Sequence, residues 1–161
     1  MRDDRFKDVH RGGSLNLDQH RQLALWAADC AEHVLPLFSR RHPLDDRPRG
    51  AIKTARAWAA GEVSVGTARA AALAAHAAAR EATDIAAREA ARAAGHAVAT
   101  AHMVDHSLSA AAYAVRAVQA SLEKPAGVEA AERELAWQRE HLPPAISELV
   151  LSARKARQLT R

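Results

Sequence analysis

The sequence predicts an all-α protein: a single compact bundle of about six or seven mostly antiparallel helices around an alanine-rich core. Three observations predict it. Alanine fills roughly a quarter of the chain, far above its usual share, and it is the best helix former and a poor strand former. Larger apolar residues recur at three- and four-residue steps, and no stretch alternates with period two. Aromatic residues are only 4% of the 161 residues although hydrophobic ones are 48%, so the core must be built from small side chains. An alanine buries little area, and burial stabilises by about 25 cal/mol per Å². Such a bundle gains instead through close helix approach and low side-chain entropy loss, with a few large residues as anchors.

Each element follows in order. Residues 1–14 carry charges and the pair Gly12-Gly13 and read as a mobile N-terminal arm, ahead of a single helical domain over 15–161. Asn16 is a good N-cap with Gln19 at the capping-box position, so a first helix starts there. It carries Leu23, Trp26, Ala27, Cys30, Val34 and Leu37 on one face, and Pro36 kinks or ends it. Asp45 or Asp46 can cap a second helix, with Pro48 tolerated in its first turn. Its apolar face is Ala51, Ile52, Ala55, Trp58 and Ala59, and Gly61 ends it. Ser64 caps a third helix running to Arg80, and Thr83 a fourth, which passes through Gly95 to Ala101. The segment His102 to Asp105 reads two ways: Asp105 caps a fifth helix, or the helix runs through unbroken. A turn at Lys124 to Gly127 precedes a sixth helix with Val128, Leu135 and Trp137. Leu142-Pro143-Pro144 is a strong break, and a last helix carries Ile146, Leu149, Val150 and Ala153.

Charge and cysteine content narrow the function classes. The formal charge is +4, with the excess at the ends: Arg2, Arg5, Lys7 and Arg11 in front, Arg154, Lys155, Arg157 and Arg161 behind. This mild field forms no stripe, which disfavours nucleic-acid binding. Arg69, Arg80, Arg88 and Arg92 interleave with Glu81, Asp84 and Glu89 and read as a solvated face with local ion pairs. The single Cys30 admits no intrachain disulfide and reads as a small buried apolar residue. The N-terminus shows no apolar leader, and the alanine tract is interrupted by Arg69, His76 and Arg80, so no membrane span is expected and a cytoplasmic location follows. No Ser/His/Asp signature, phosphate-binding glycine loop or CxxC pair is present, and no catalytic residue is assigned.

Nine histidines in a small chain are the main candidates for chemistry. His10, His20, His42 and His141 fall near loops or helix ends and read as solvent-exposed. Asp29, His33, His76, His96, His102, Asp105 and His106 fall in helical, small-residue surroundings and are expected to form a buried polar network. Asp29 and His33 are four apart on one helix face. His102-x-x-Asp105-His106 is spaced like the inverted zinc-protease motif H-x-x-E-H, with the shorter aspartate in place of glutamate. If the segment is helical, His102 and His106 share a face; if Asp105 is an N-cap, that face is lost. No cofactor is expected. The alternative is a divalent-metal-binding bundle protein or a metal-dependent enzyme, with Zn or another divalent metal held by Asp29, His33, His102 and His106. Trp26 and Trp58 read as core anchors. Trp137, in the charged stretch Glu132 to Glu140, is either a prop for the last helices or the candidate partner surface.

The runs LWAADCAEHVLPLF (Leu25 to Phe38), DDRPRGAIKTARAWAAGE (Asp45 to Glu62) and AGHAVATAHMVDHSLSAAAYA (Ala94 to Ala114) resemble a bacterial family of small, alanine- and histidine-rich helical immunity proteins. Members are assigned to the neutralisation of polymorphic toxins. The resemblance covers Leu15 to about Gln119 and carries over no binding residues. It implies a non-catalytic protein-binding module whose partner is a cognate toxin. Many immunity surfaces are acidic to meet basic nucleases; this mildly basic chain would suit an acidic one better.

Overall fold

The computed structural model describes residues 3–159. They form an all-helical bundle, with no strand among the described residues and one isolated bridge between Asp8 and Leu15. The helices are α1 (Leu17–Val34), the single turn α2 (Pro36–Ser39), α3 (Arg47–Ala59), α4 (Val65–Glu81), α5 (Ile85–Ala99), α6 (His106–Ala120), α7 (Ala126–Glu140) and α8 (Pro144–Leu159).

Local chemistry sets most boundaries. Asn16 and Gln19 form the full capping box, each side chain accepting from the other's backbone N–H. Pro36 takes the first position of α2, where its missing N–H costs nothing. Ser64 caps α4 by accepting from Thr67 N–H at 3.1 Å. Gly61 closes α3 with φ of 78°. Two caps differ from expectation. Asp84 rather than Thr83 caps α5, accepting from Ala87 N–H at 2.9 Å. Asp46 sits at the N-cap of α3 without a side-chain bond, since its backbone is helical rather than extended and Pro48 at the second position has no N–H to offer; Asp45 before it takes the Arg47 N–H and guanidinium. The ambiguous segment resolves as a break: α5 stops at Ala99, residues 100–105 turn, and Asp105 is the N-cap residue of α6 with no side-chain cap bond.

The core is organised around α5, which packs on α1, α2, α3, α4 and α6. Along α5 the residues Ala87, Ala90, Ala91, Ala93, Ala94, Ala97 and Val98 are fully buried. A helix lined by methyl groups lets its neighbours come close, which is how an aromatic-poor chain excludes water. Trp26, Phe38, Leu23, Ile52 and Ile146 are the buried bulky anchors. Trp58 is only partly buried, packed against the core with its ring 4.6 Å from His20. It stands at the edge of the core. At the other end, Gly127 lets α7 approach the end of α6. A Cβ there would come within 2.5 Å of the Gln119 carbonyl and 2.7 Å of the Leu122 carbonyl.

Where composition predicts an arm, the structure places two 3-10 turns, Asp4–Phe6 and Val9–Arg11. Phe6 is buried, a contact that composition does not reveal. The Arg5 guanidinium donates to Ser152 of α8 at 2.6 Å, so the two basic ends lie side by side. Arg2 and Arg161 fall outside the described residues. No helix among the described residues is long and apolar enough to cross a membrane.

Candidate functional site

The structure sorts the histidines into two clusters of opposite character. The first joins α1 to α7. His33 Nδ1–H donates to Glu134 at 2.7 Å, and the Glu134 side chain is 3% exposed while that of His33 is 41% exposed. Glu134 belongs to a buried chain. Its other oxygen accepts from Gln138 Nε2–H at 3.1 Å, and the same amide donates to the Ala111 carbonyl of α6 at 3.0 Å. Gln138 Oε1 accepts from Arg154 of α8, and the Gln138 carbonyl accepts from the Trp26 indole at 3.0 Å. Arg154 lies over the Trp26 ring at 5.2 Å, so this arginine is half-buried against α1 rather than spread on the surface. Burial lowers its affinity for a proton, but a guanidinium stays charged.

At the surface end of this chain, Trp137 is clamped between two imidazoles. His33 stacks on it at 3.8 Å with planes 8° apart, and His141 stacks on it at 4.0 Å and 22°. His141 is fixed by donating Nδ1–H to the Trp137 carbonyl at 2.8 Å. These three rings, with Asp29 and Glu32, line a concavity of about 380 Å³. Asp29 and Glu32 both accept from Arg56 at 2.8 Å. That guanidinium holds Glu32 below the ordinary carboxylate range, chiefly through its hydrogen bond.

The second cluster is a row of four imidazoles, His76, His96, His106 and His102, with successive ring centroids 4.9, 5.0 and 5.3 Å apart. His96 and His106 meet Nδ1 to Nδ1 at 3.0 Å, so one ring donates and the other accepts. Tyr113 stacks on His96 at 5.0 Å. Burial and the neighbouring imidazoles and Arg92 push His96 down to about 3. Burial first, then nearby arginines, lowers His76 and His102 as well. The Nδ1 of His102 is buried with no hydrogen-bond partner. His76 owes its place to Gly95, where a Cβ would meet the imidazole at 2.7–2.9 Å.

The expected network is therefore two networks. Asp29 pairs with Arg56 rather than with His33, and the metal set Asp29, His33, His102 and His106 is not assembled. The first two residues are engaged by Arg56 and Glu134 while the last two sit in the imidazole row. Among the described residues no group of three or more His, Cys, Asp or Glu is disposed to hold a metal ion. Asp105 is part of the turn and not of a shared helix face. His102 and His106 still come together, because the turn folds one ring back onto the other.

A family model described as Imm-5 like putative immunity protein matches residues 13–145. This chain belongs to that family. No curated protein sequence and no solved structure matches it. The Imm-5 like match runs past the blocks that carried the resemblance, through the whole of α7 and so through Glu134, Trp137, Gln138 and His141. It stops at 145, so all but the first two residues of α8, with Arg154, lies beyond it.

Sequence reasoning missed four polar residues of this Imm-5 like chain. His20, expected in solvent, is buried and donates Nε2–H to the Thr100 carbonyl at 2.6 Å; desolvation lowers its proton affinity. Glu134, Gln138 and Arg154 form the buried chain. Glu134 and Gln138 are four apart, on one face of α7 with Ala131 between charged neighbours. That spacing was the available signal, masked by the polar look of the segment. Cys30 is fully buried, as its surroundings suggested, and burial pushes its thiol well up, away from nucleophile chemistry.

Proposed function

We propose that this chain is a non-catalytic immunity protein that neutralises a bacterial toxin by direct binding, and that the toxin docks on the α1–α7 face around Trp137. Family membership supports the immunity role. The observation that carries the choice of face is the clamped indole: a partly exposed Trp137 held between His33 and His141 at the mouth of a concavity. Clamping matters because a partner gains most from a side chain that has already lost its freedom. Tryptophan is also among the residues that most often dominate interface energetics. Behind it, Glu134 and Gln138 anchor the clamp to α6 and α8, so the face is rigid.

The face also has a charge pattern. Asp29 and Glu32 share one arginine, Arg56, and Arg49 adds a second cation near Glu32. Both signs therefore stand beside the indole, which suits a partner surface of mixed charge, with charge contributing mainly to register and the rate of encounter.

The test is co-expression with the toxin encoded beside this gene, scored by cell survival and by co-purification. Wild type should protect. Trp137→Ala should weaken binding by about 2 kcal/mol or more, roughly thirtyfold, with the helical circular-dichroism signal retained. A folded Trp137→Ala protein that protects as well as wild type would remove the face. A toxin that neither binds the wild type nor is neutralised by it would remove the function.

A further inference from the structure

We infer that the groove between α6, α7 and α8 is a binding site for a small amphiphilic carboxylate, an acyl anion whose aliphatic body lies on α6 and α7 and whose head is taken by arginines of α6 and α8. The site lies off the α1–α7 face of the toxin reading and does not depend on it.

The floor of the groove is aliphatic. Leu108, Ala112 and Val115 follow one another along one face of α6, and Leu135 of α7 closes the side, around a volume of about 320 Å³. That size stands at the lower end of the roughly 300–1,000 Å³ of small-molecule sites. No aromatic ring among the described residues lines it. It therefore offers apolar surface to a short chain of methylenes and no stacking face to a base or an aryl group.

The charge at its rim has one sign. Arg116, Arg154 and Arg157 line the groove, and among the described residues no carboxylate does. The sequence of α6 contains no acid, and that of α8 only Glu148, which lines a separate hollow beside Arg5. Arg116 lies over the Tyr113 ring at 4.9 Å and Arg154 over that of Trp26. The rings hold both guanidinium groups in place without neutralising them. Arg154 donates to the neutral amide of Gln138. Glu134, whose charge reaches Arg154, is already engaged by His33 and Gln138. Arg157 feels the charge of Asp3, and Asp3 is itself held by Arg5 at 2.7 Å.

Helix dipoles do not account for these cations. Arg157 stands in the last turn of α8, where a cation offsets the dipole, but Arg116 and Arg154 stand further in. A half-desolvated guanidinium without a counter-charge is costly, and an anion in the groove offsets that cost. Each guanidinium presents parallel N–H donors that match the two oxygens of a carboxylate. A short aliphatic floor beside a cationic rim thus selects a ligand with one anionic end and one apolar end.

The experiment titrates octanoate into the full chain and follows the ¹H–¹⁵N NMR spectrum. Saturable shifts should gather on Ala112, Val115, Arg116 and Leu135, with half-saturation at about a millimolar or below. The Trp26 indole N–H should move with them, because Arg154 sits over its ring and the Gln138 carbonyl is its acceptor; the Trp58 indole should stay. Octylammonium has the chain without the carboxylate, and acetate the carboxylate without the chain. Neither should give saturable shifts in that range. Arg116→Gln removes an exposed guanidinium and should weaken octanoate about tenfold. Lys155→Gln, at an exposed cation of α8 outside the groove, should leave the affinity unchanged. The wild-type comparison of the three ligands stands whether or not a variant folds. Octylammonium binding as tightly as octanoate overturns the site. So do equal losses in the two folded variants, or octanoate shifts that stay linear to about 10 mM.

Discussion

The two histidine clusters of this bundle differ in what each ring meets: His33 has a buried carboxylate behind it, whereas His96 meets the imidazole of His106 and the ring of Tyr113. Glu134 fixes the tautomer and orientation of His33 and ties it through Gln138 to three helices. Along the imidazole row, burial and neighbouring cations hold His76, His96 and His102 below the ordinary imidazole value, and His96 and His106 share a hydrogen bond. The comparison teaches that histidine count says little about function; what stands behind each ring decides whether it is a fixed surface contact or a neutral ring packed in the interior.

The largest effect should come from cutting the first network at its root. Gln138→Ala leaves one Glu134 oxygen and the Arg154 guanidinium without their partner and removes a second donor from the Ala111 carbonyl, which keeps its bond within α6. Each orphaned group costs about 1–3 kcal/mol, so the sum should be at least about 2 kcal/mol in urea unfolding. A loss below about 1 kcal/mol would mean the network is not the rigid base described here.

Acid should expose the second cluster. His20, His76, His96 and His102 all have proton affinities lowered in the folded chain. The unfolded chain takes up those protons near the ordinary value of 6.5 while the folded one does not. Stability should therefore hold its plateau above pH 6.5 and fall as pH drops from there toward 3. The groups facing His96 are His76, His106, Arg92 and Tyr113, none of them an acid able to reverse the sign. His96→Phe should flatten the fall, read as melting temperature against pH. A slope unchanged in this variant would locate the acid sensitivity elsewhere.

How much of this was legible in the sequence follows from the range of the interactions. Asn16, Ser64, Pro36 and Gly61 act within a turn, and the helices begin or end where these residues direct. The α5 stop at Ala99 was ambiguous because His102 and Asp105 satisfy both a helix and a cap locally. The pairings that make the sites join residues far apart: His33 with Glu134, Arg154 with Gln138, His96 with His106 across a turn. A pattern of periods shows which face a residue occupies but not which residue meets it. Trp58 shows the same limit for the core, since it lies on the apolar face of α3 yet stands at the edge.

A smaller effect separates geometry from propensity. On an open helix face Gly95→Ala would stabilise by about 1 kcal/mol. Here the new methyl meets the His76 ring, so the gain should be largely cancelled, within about 0.5 kcal/mol of wild type, while the His76 ring resonances shift. Full stabilisation with unmoved His76 signals would show the contact to be unimportant.

The contrast between the clusters rests on where the protons sit, and a long-range ¹H–¹⁵N spectrum of the imidazoles across pH reads that directly. His33 should carry its proton on Nδ1 at neutral pH, and His96 should remain neutral at about pH 5. Finding His33 protonated only on Nε2, together with His96 titrating at its ordinary value, would contradict the account.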